Sequence, residues 1–150
     1  MRKITRKNKP SSYFTGYLGR IFDVNQYPQL INKLSIKIKK FQQKQPFDAI
    51  AFTGTSGCSV AFTLSYKLGI PLICIRKKSD NSHFNGLYEG VENVKRYIIV
   101  DDFIASGDTI ATIKKNVLLR SKRAKLVGIF LYGQSANQTT HKKIPVYIVK

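Results

Sequence analysis

Residues 97–109 read YIIVDDFIASGDT, and this run is the most informative part of the chain. Four apolar residues are typical of a buried strand, two acids follow, and two more apolar residues lead into five mostly small residues that open a helix. Small residues at a helix start let backbone N–H groups converge on a phosphate, which the positive end of the helix also attracts. The run therefore predicts a strand, a phosphate-binding turn and a helix.

Two acids, Asp101 and Asp102, stand where this strand ends. Adjacent carboxylates can accept hydrogen bonds from neighbouring hydroxyls, as on a ribose, or hold a magnesium ion through water. Ser106 and Thr109 add hydroxyl donors in the turn that follows. An acidic turn in which Asp102 or Ser106 caps the helix is the alternative interpretation. The complete pattern favours a sugar phosphate that is held at both ends.

The rest of the chain alternates helices with strands. Helical spacing from Tyr27 to Phe41 predicts an amphipathic helix that ends before Pro46. Apolar runs predict further strands over Asp48–Gly54, Pro71–Ile75, Leu126–Tyr132 and Val146–Val149. Helical spacing predicts further helices over Val60–Leu68 and Thr109–Leu119. This alternation predicts one α/β domain with a parallel twisted sheet of about five strands, flanked by helices and joined by right-handed crossovers.

Two segments fall outside this alternation. We expect residues 1–23 to form a basic and aromatic arm and residues 24–150 to form the domain. Residues 79–92 are polar, rich in Asn, Ser and Gly, and without periodicity, which predicts a long functional loop. Because ligands of open parallel sheets bind beyond the carboxyl ends of the strands, the residues that follow each strand are the candidates for a site.

The composition is that of a folded globular protein. Its 150 residues are 43% hydrophobic, which suffices for one domain with a core. Cys58 and Cys74 form no C-x-x-C pair and follow no secretory segment, so we expect a reducing cytosol and neither a disulfide framework nor a zinc site. No apolar run approaches the ~20 residues of a membrane span, and no membrane association is expected.

The chain is strongly basic. It has 26 Lys and Arg against 8 Asp and Glu, a net charge of +18. Such an excess attracts polyanions, which makes nucleic acid an expected partner of the basic arm. Much of the charge lies early, at Arg2, Lys3, Arg6, Lys7, Lys9, Lys33, Lys37, Lys39, Lys40 and Lys44. A solvated lysine-rich surface is the alternative interpretation.

All 13 positions of residues 97–109 resemble the signature of the type I phosphoribosyltransferases that binds 5-phosphoribosyl 1-pyrophosphate (PRPP), with only Phe103 bulkier than usual. The resemblance implies that Asp101 and Asp102 contact the ribose hydroxyls. It implies that the 5-phosphate is held by Ala105, Ser106, Gly107, Asp108 and Thr109. It also implies Mg²⁺ that arrives with PRPP and lies near the two acids, without a set of direct protein ligands.

A looser resemblance covers about Asp48–Tyr132. It implies a loop whose backbone N–H groups receive the pyrophosphate of PRPP, with the matching residues Thr53, Gly54, Thr55, Ser56 and Gly57. A plain strand-to-helix turn is the alternative for this loop. Its spacing excludes a Walker loop, which needs Gly-Lys-Ser/Thr, and a dinucleotide-binding fingerprint.

The resemblance also points to catalytic residues outside these two loops. Arg76 and Lys77 stand, together with Lys78, where the family often places a cation for the leaving pyrophosphate. Residues 79–92 resemble the flexible catalytic loop, in which His83, Tyr88 and Glu89 are of interest. The implied catalytic set is Asp101, Asp102, Arg76, Lys77 and Glu89.

Three functions are consistent with these residues. The resemblance implies an enzyme that transfers the 5-phosphoribosyl group of PRPP to a nucleobase, preferably a purine because Ala105 resembles the adenine and xanthine branches, and releases pyrophosphate. Its base pocket would come from Tyr13–Phe22, from Tyr132–Ser135 or from the second subunit of a homodimer. A regulator of the same fold that senses PRPP and binds nucleic acid is the alternative, which the net charge favours. A receiver-like domain phosphorylated on one aspartate leaves Thr53–Gly57 without a role.

Overall fold

The computed structural model describes residues 18–77, 86–133 and 139–150. Within these ranges seven strands lie at Ala49–Thr53 (β1), Leu72–Ile75 (β2), Tyr88–Gly90 (β3), Arg96–Asp101 (β4), Lys125–Leu131 (β5), Thr140–His141 (β6) and Ile144–Ile148 (β7). The helices of the same ranges lie at Gly19–Phe22 (α1), Gln26–Lys44 (α2), Gly54–Leu68 (α3) and Asp108–Arg120 (α4). Most of the predicted arm therefore lies outside the described residues, and its last part contains α1.

The strands form one sheet in the order β3-β2-β1-β4-β5-β7-β6. β1 pairs in parallel with β2 and β4, and β5 pairs in parallel with β4 and β7. β3 and β6 are antiparallel strands at the two edges. The predicted α/β domain with a mostly parallel sheet is confirmed. The predicted strand count is wrong, because the described residues form seven strands and not about five.

The two additional strands are too short to produce a periodic pattern in the sequence. β3 lies within residues 79–92, which were expected to be one continuous loop, and it pairs with the open edge of β2 so that Tyr88 faces Ile75. β6 pairs with β7 across a tight turn. Alternation is recognisable only over about four residues or more, so pairing alone determines these strands. The loop prediction is therefore wrong at Tyr88–Gly90.

Helices cover both faces of the sheet. Along β1, Ile50 and Phe52 belong to the core that contains α2 and α3, whereas Ala49 and Ala51 belong to the core that contains α4. Every residue of β1 is consequently buried. This burial on both faces explains why the central strands are unbroken apolar runs and do not alternate.

α2 is the predicted amphipathic helix. Its buried side includes Leu30, Leu34 and Ile38, which pack against α3 and the sheet, and it ends at Lys44, just before Pro46. The lysines of α2 lie on its other sides. None of the helices in the described ranges combines the length and the apolar character that crossing a membrane requires.

α3 begins at Gly54, directly after β1, where the sequence predicted a turn before the helix. The predicted turn is instead the first turn of α3. A Cβ atom on Gly57 would lie 2.9 Å from Phe52 Cβ and 3.2 Å from the carbonyl oxygen of Val100. The lack of a side chain at this position therefore determines how closely the start of α3 approaches β1 and β4.

Gly57→Ala is expected to lower the free energy of unfolding by about 1–3 kcal/mol, because the added methyl group overpacks against Phe52 and Val100. Without that contact, Ala would stabilise a helix by about 1 kcal/mol relative to Gly. Urea unfolding followed by circular dichroism measures the change. Cys58→Ala, at an exposed neighbouring position, is the control and should stay within about 0.5 kcal/mol of the unchanged chain. A stability equal to or above that of the unchanged chain would contradict the close packing.

Candidate active site

The carboxyl ends of the central strands meet at one edge of the sheet. Thr53 of β1 is in register with Ile75 of β2, and Asp101 of β4 is in register with Leu131 of β5. From β1 the chain continues to β2 on one side, whereas from β4 it continues to β5 on the other. The helices that make these connections, α3 and α4, begin on either side of a crevice between β1 and β4. Open α/β sheets bind their ligands in such a crevice.

A hydrogen bond joins the two predicted segments across this crevice. Ser56 Oγ, in the first turn of α3, donates to Asp101 Oδ1 over 2.8 Å. The hydroxyl of Tyr132, just beyond β5, donates to the carbonyl oxygen of Ser56 over 2.7 Å. The structure thus brings the segment predicted to bind pyrophosphate into contact with the acids predicted to bind ribose.

Both acids are buried, with 6% of Asp101 and 5% of Asp102 exposed. Asp101 Oδ1 also accepts the backbone N–H of Asp102 over 2.9 Å, and Asp102 Oδ1 accepts that of Phe103 over 2.9 Å. Burial raises the pKa of Asp101 to about 6, although the hydrogen bonds from Ser56 and from the Asp102 N–H act in the opposite direction. Carboxyl groups with such perturbed pKa values are frequent at functional sites.

The residues predicted to bind the 5-phosphate form the turn before α4. Gly107 precedes the helix with a φ of +88°, a left-handed conformation that favours glycine. Ser106 Oγ donates to Asp108 Oδ2 over 2.6 Å and accepts the Asp108 N–H over 3.3 Å. The Ser106 hydroxyl is thus engaged with Asp108 in this structure. A small hollow beside the turn is lined in part by Asp101 and Ala105.

The two predicted cations at the end of β2 have different surroundings. Arg76 Nη1 pairs with Glu89 Oε1 of β3 over 2.7 Å. Lys77 lies at the start of α3, since a Cβ atom on Gly54 would be 3.1 Å from Lys77 Cε and 3.2 Å from its Nζ. The ammonium group is thus adjacent to the helix start that is predicted to bind pyrophosphate. Glu89, predicted to lie in a loop, lies in a strand and neutralises Arg76.

A cleft of about 610 Å³ connects these cations with the start of α4. Its lining includes Thr53, Arg76 and Lys77 from the ends of β1 and β2, and Asp108 and Thr109 from α4. Small-molecule sites commonly have volumes of roughly 300–1,000 Å³. Residues predicted to bind the two phosphate ends of PRPP therefore border the same open space.

Residues 10–148 match the family described as PRTase-CE. The chain belongs to the PRTase-CE family. It is 28% identical to a hypoxanthine/guanine phosphoribosyltransferase of Methanohalobium evestigatum, in an alignment of 133 residues that covers 79% of this chain and 70% of the relative. It is 25% identical to an orotate phosphoribosyltransferase of Halalkalibacterium halodurans, over 96% of this chain and 73% of the relative.

Solved structures share the fold of this PRTase-CE chain. An adenine phosphoribosyltransferase from Saccharomyces cerevisiae, in complex with an imino-altritol bisphosphate and adenine, matches with a TM-score of 0.68 and 19% identity over 94% of this chain and 88% of that chain. An orotate phosphoribosyltransferase from Aeropyrum pernix matches with a TM-score of 0.64 and 17% identity over 97% and 82%, respectively. These structures confirm the predicted fold, and the family match together with the curated relatives confirms the predicted relationship to type I phosphoribosyltransferases and the prediction of an enzyme.

Some predicted residues of the PRTase-CE chain have other surroundings or lie outside the described ranges. Lys78 and His83 lie outside the described ranges, as do residues 134 and 135 of the expected base pocket. The hydroxyl of Tyr88 donates to the carbonyl oxygen of Val91, and burial raises the pKa of Tyr88. Arg20 Nη1 of α1 donates to the carbonyl oxygen of Tyr132 over 3.2 Å, so the described parts of the two segments expected to form a base pocket contact each other.

Magnesium remains a prediction for the PRTase-CE chain. Among residues 18–77, 86–133 and 139–150, no group of three or more His, Cys, Asp or Glu side chains could hold a metal ion. Asp101 Oδ1 and Asp102 Oδ1 already accept hydrogen bonds within the protein. This arrangement suits a hydrated ion carried by its substrate, which needs the carboxylates only through water.

Sequence reasoning missed His141. A Cβ atom on Gly107 would lie 2.6 Å from His141 Cε1 and 3.2 Å from its Nε2, so the imidazole packs against the turn before α4. Pairing of β6 with β7 brings it there. A two-residue strand shows no periodicity in the sequence, and no motif marks this histidine.

Asp101→Asn is expected to stabilise the fold near pH 7.5 and to have less effect near about pH 4.5. The pKa of this carboxyl rises from 3.8 to about 6 on folding, so the folded state binds more protons between these values and loses stability as the pH rises. Asn keeps an acceptor for Ser56 without the buried charge, so a gain on the order of 1 kcal/mol should develop between about pH 4 and pH 6 and be complete above pH 6. Thermal unfolding across this pH range measures it; a loss of stability near pH 7.5 would contradict the assignment.

Proposed function

We propose that the chain transfers the 5-phosphoribosyl group of PRPP to a ring nitrogen of a nucleobase and releases pyrophosphate, with Mg²⁺. The observation that carries this proposal is the 2.8 Å hydrogen bond between Ser56 and Asp101. It links a helix start suited to a diphosphate with a pair of carboxylates suited to ribose hydroxyls. Membership of the PRTase-CE family supports the same chemistry.

In this proposal PRPP lies along the crevice between α3 and α4. Ala105–Thr109 hold the 5-phosphate through backbone N–H and hydroxyl groups, and the ribose hydroxyls donate to Asp101 and Asp102. Thr53–Gly57 receive the pyrophosphate. Thr53 supports this role, because its hydroxyl donates to the carbonyl oxygen of Ile75 over 2.5 Å and does not cap α3. The first N–H groups of the helix are therefore left for a ligand.

The leaving group determines the difficulty of this reaction. The bond from C1 of the ribose to the pyrophosphate oxygen breaks as the base nitrogen forms its bond to C1, through a positively charged ribosyl transition state. The N–H groups at the start of α3 and the ammonium of Lys77 stabilise the departing negative charge. Asp101 and Asp102 suit the positive charge that develops on the sugar. Magnesium bound to the pyrophosphate supplies further neutralisation.

Arg76 and Glu89 complete the proposed catalytic set. Their side chains are partly exposed, at 27% and 50%, respectively. An ion pair in such surroundings stabilises a fold by only about 0–1 kcal/mol, so a pyrophosphate can displace the carboxylate from the guanidinium. Glu89 thus holds Arg76 in place until PRPP binds.

A purine is the proposed acceptor, and Ala105 supports it by its resemblance to the adenine and xanthine branches. We place the base near Tyr132, where α1 approaches the end of β5. A second copy of the chain in a homodimer is the proposed source of any further contacts to the base. The reducing cytosol predicted from Cys58 and Cys74 is the proposed location.

Incubation with PRPP, Mg²⁺ and each nucleobase in turn is expected to release pyrophosphate with at least one purine. Asp101→Asn and Asp102→Asn should each lower kcat/KM by about 100-fold or more, because each removes charge next to the developing cation. Asp48→Asn is the matched control, since the Asp48 carboxylate precedes β1, at the opposite end of that strand from Thr53, and accepts the backbone N–H groups of Lys95 and Arg96. No pyrophosphate with any base would refute the transferase, and full activity of both aspartate variants would refute their roles.

A regulator that binds nucleic acid is the second candidate, and a basic groove between α2 and β7 favours it. The groove has a volume of about 390 Å³, and four lysines line it together with Ile36 and Ile148: Lys33, Lys37, Lys40 and Lys150. Lys33 Nζ donates to the carbonyl oxygen of Lys150 over 3.0 Å, and Lys37 Nζ to that of Ile148 over 2.7 Å. These contacts hold ammonium groups along one groove, as a phosphate backbone requires.

Binding of a short single-stranded RNA is expected to weaken linearly in a plot of log affinity against log salt concentration. The double variant Lys33→Gln/Lys40→Gln should reduce the magnitude of that slope by about 1–2. It loses two phosphate contacts, and each contact accounts for the release of slightly less than one counterion. Lys122→Gln/Arg123→Gln, which removes the same charge at exposed residues after α4, is the control. Equal slopes for the groove variant and the control would contradict a specific role of the groove.

A further inference from the structure

A short basic hairpin packs against the turn before α4. His141 of β6 is in register with Ile144 of β7, so Lys142 and Lys143 form a two-residue turn between these strands. The half-buried imidazole of His141 contacts Gly107, whose missing Cβ would lie 2.6 Å from His141 Cε1. The hairpin thus presents three basic residues in sequence, His-Lys-Lys, beside the turn that we assign to the 5-phosphate.

The charge of the turn itself explains why such a hairpin is needed. Residues 97–109 contain three of the eight acids of the chain, Asp101, Asp102 and Asp108, and no lysine or arginine. A helix N-terminus contributes only about half a positive charge, which does not balance these carboxylates and a phosphate dianion. Arg76 and Lys77 border the cleft that Asp108 and Thr109 also line, and Lys77 lies next to the start of α3. Cations on an element next to Gly107 would further offset this negative charge.

The turn residues of the hairpin are unusual for their backbone conformation. Lys142 and Lys143 have φ values of +46° and +69°, the left-handed region that two-residue hairpin turns of type I′ demand at both positions. Asn-Gly is the favoured pair for such turns, and a side chain with a Cβ is strained there. Both lysines are exposed, so burial does not account for them. Both carry a positive charge on the hairpin that contacts Gly107 through His141.

We propose that the β6–β7 hairpin is a binding element for the 5-phosphate of the sugar phosphate substrate. Lys142 and Lys143 supply the cationic charge, and His141 is a positioning residue that holds Gly107 in its left-handed conformation. The identity of the substrate rests on the proposed function, whereas the contact of His141 with Gly107 does not. The ligand class is a sugar 5-phosphate, and pyrophosphate is bound elsewhere.

Isothermal titration with two partial ligands separates the two ends of the site. Lys142→Asn/Lys143→Gly installs the favoured turn and removes both charges, so the hairpin should fold at least as well as before. It is expected to weaken binding of ribose 5-phosphate by about tenfold and to leave binding of inorganic pyrophosphate, with Mg²⁺, unchanged. Lys77→Gln should show the reverse pattern. Lys122→Gln/Arg123→Gln, with the same loss of charge, should bind both ligands normally.

The positioning role of His141 is tested by steady-state kinetics and by binding. His141→Ala should raise KM for PRPP several-fold and weaken ribose 5-phosphate, with kcat within about twofold and pyrophosphate binding unchanged. A purely structural role would change the binding of both ligands, or of neither. His141→Gln, which retains a planar polar group, should recover part of the loss.

The outcomes distinguish this inference from the proposed function. If ribose 5-phosphate binding depends on the hairpin but no base accepts the ribosyl group, the inference stands and the transferase fails. If pyrophosphate is released but the hairpin variants bind ribose 5-phosphate as the unchanged chain does, the inference fails and the transferase stands. If the unchanged chain binds neither ribose 5-phosphate nor PRPP, both fail.

Discussion

The hydrogen bond from Ser56 to Asp101 connects the two halves of the crevice, and the rest of the site is arranged around it. It forms because β1 and β4 are parallel neighbours, so that the first turn of α3 reaches the end of β4. The close approach of Gly57 to Phe52 and Val100 brings the helix start to that depth. Asp101 is buried at this contact, and burial raises its pKa and makes the ionised carboxylate unfavourable in the fold. Stability is thus lost where a polar ligand would bind, as is common at functional sites.

Charge is distributed along the crevice in a way that suits a ligand with anions at both ends and hydroxyls between them. The acids Asp101 and Asp102 lie in the middle. Lys77 lies at the start of α3, and the hairpin with His141 lies against Gly107 at the start of α4. Each end thus combines a helix N-terminus, which alone carries about half a charge, with a segment that contains basic residues.

The part of the site that the sequence predicted is the part that is contiguous in the chain. The strand, the two acids and the turn before α4 follow one another within residues 97–109, so local pattern and spacing sufficed. Contacts between distant segments were not predictable in this way. The pairing of Arg76 with Glu89 depends on β3, a strand of three residues without periodicity, and the contact of His141 with Gly107 depends on β6, which is shorter still.

The sequence by itself determined the α/β class, the central parallel strands and the strand, acidic pair and turn that lead into α4, because apolar runs and small residues act within a few positions of each other. The tertiary structure alone decided that the helix starts share one crevice, that Asp101 is buried against Ser56, and that a basic hairpin lies over Gly107. These features follow from strand order and from the pairing of short edge strands, which depend on packing between segments far apart in the chain and leave no local pattern.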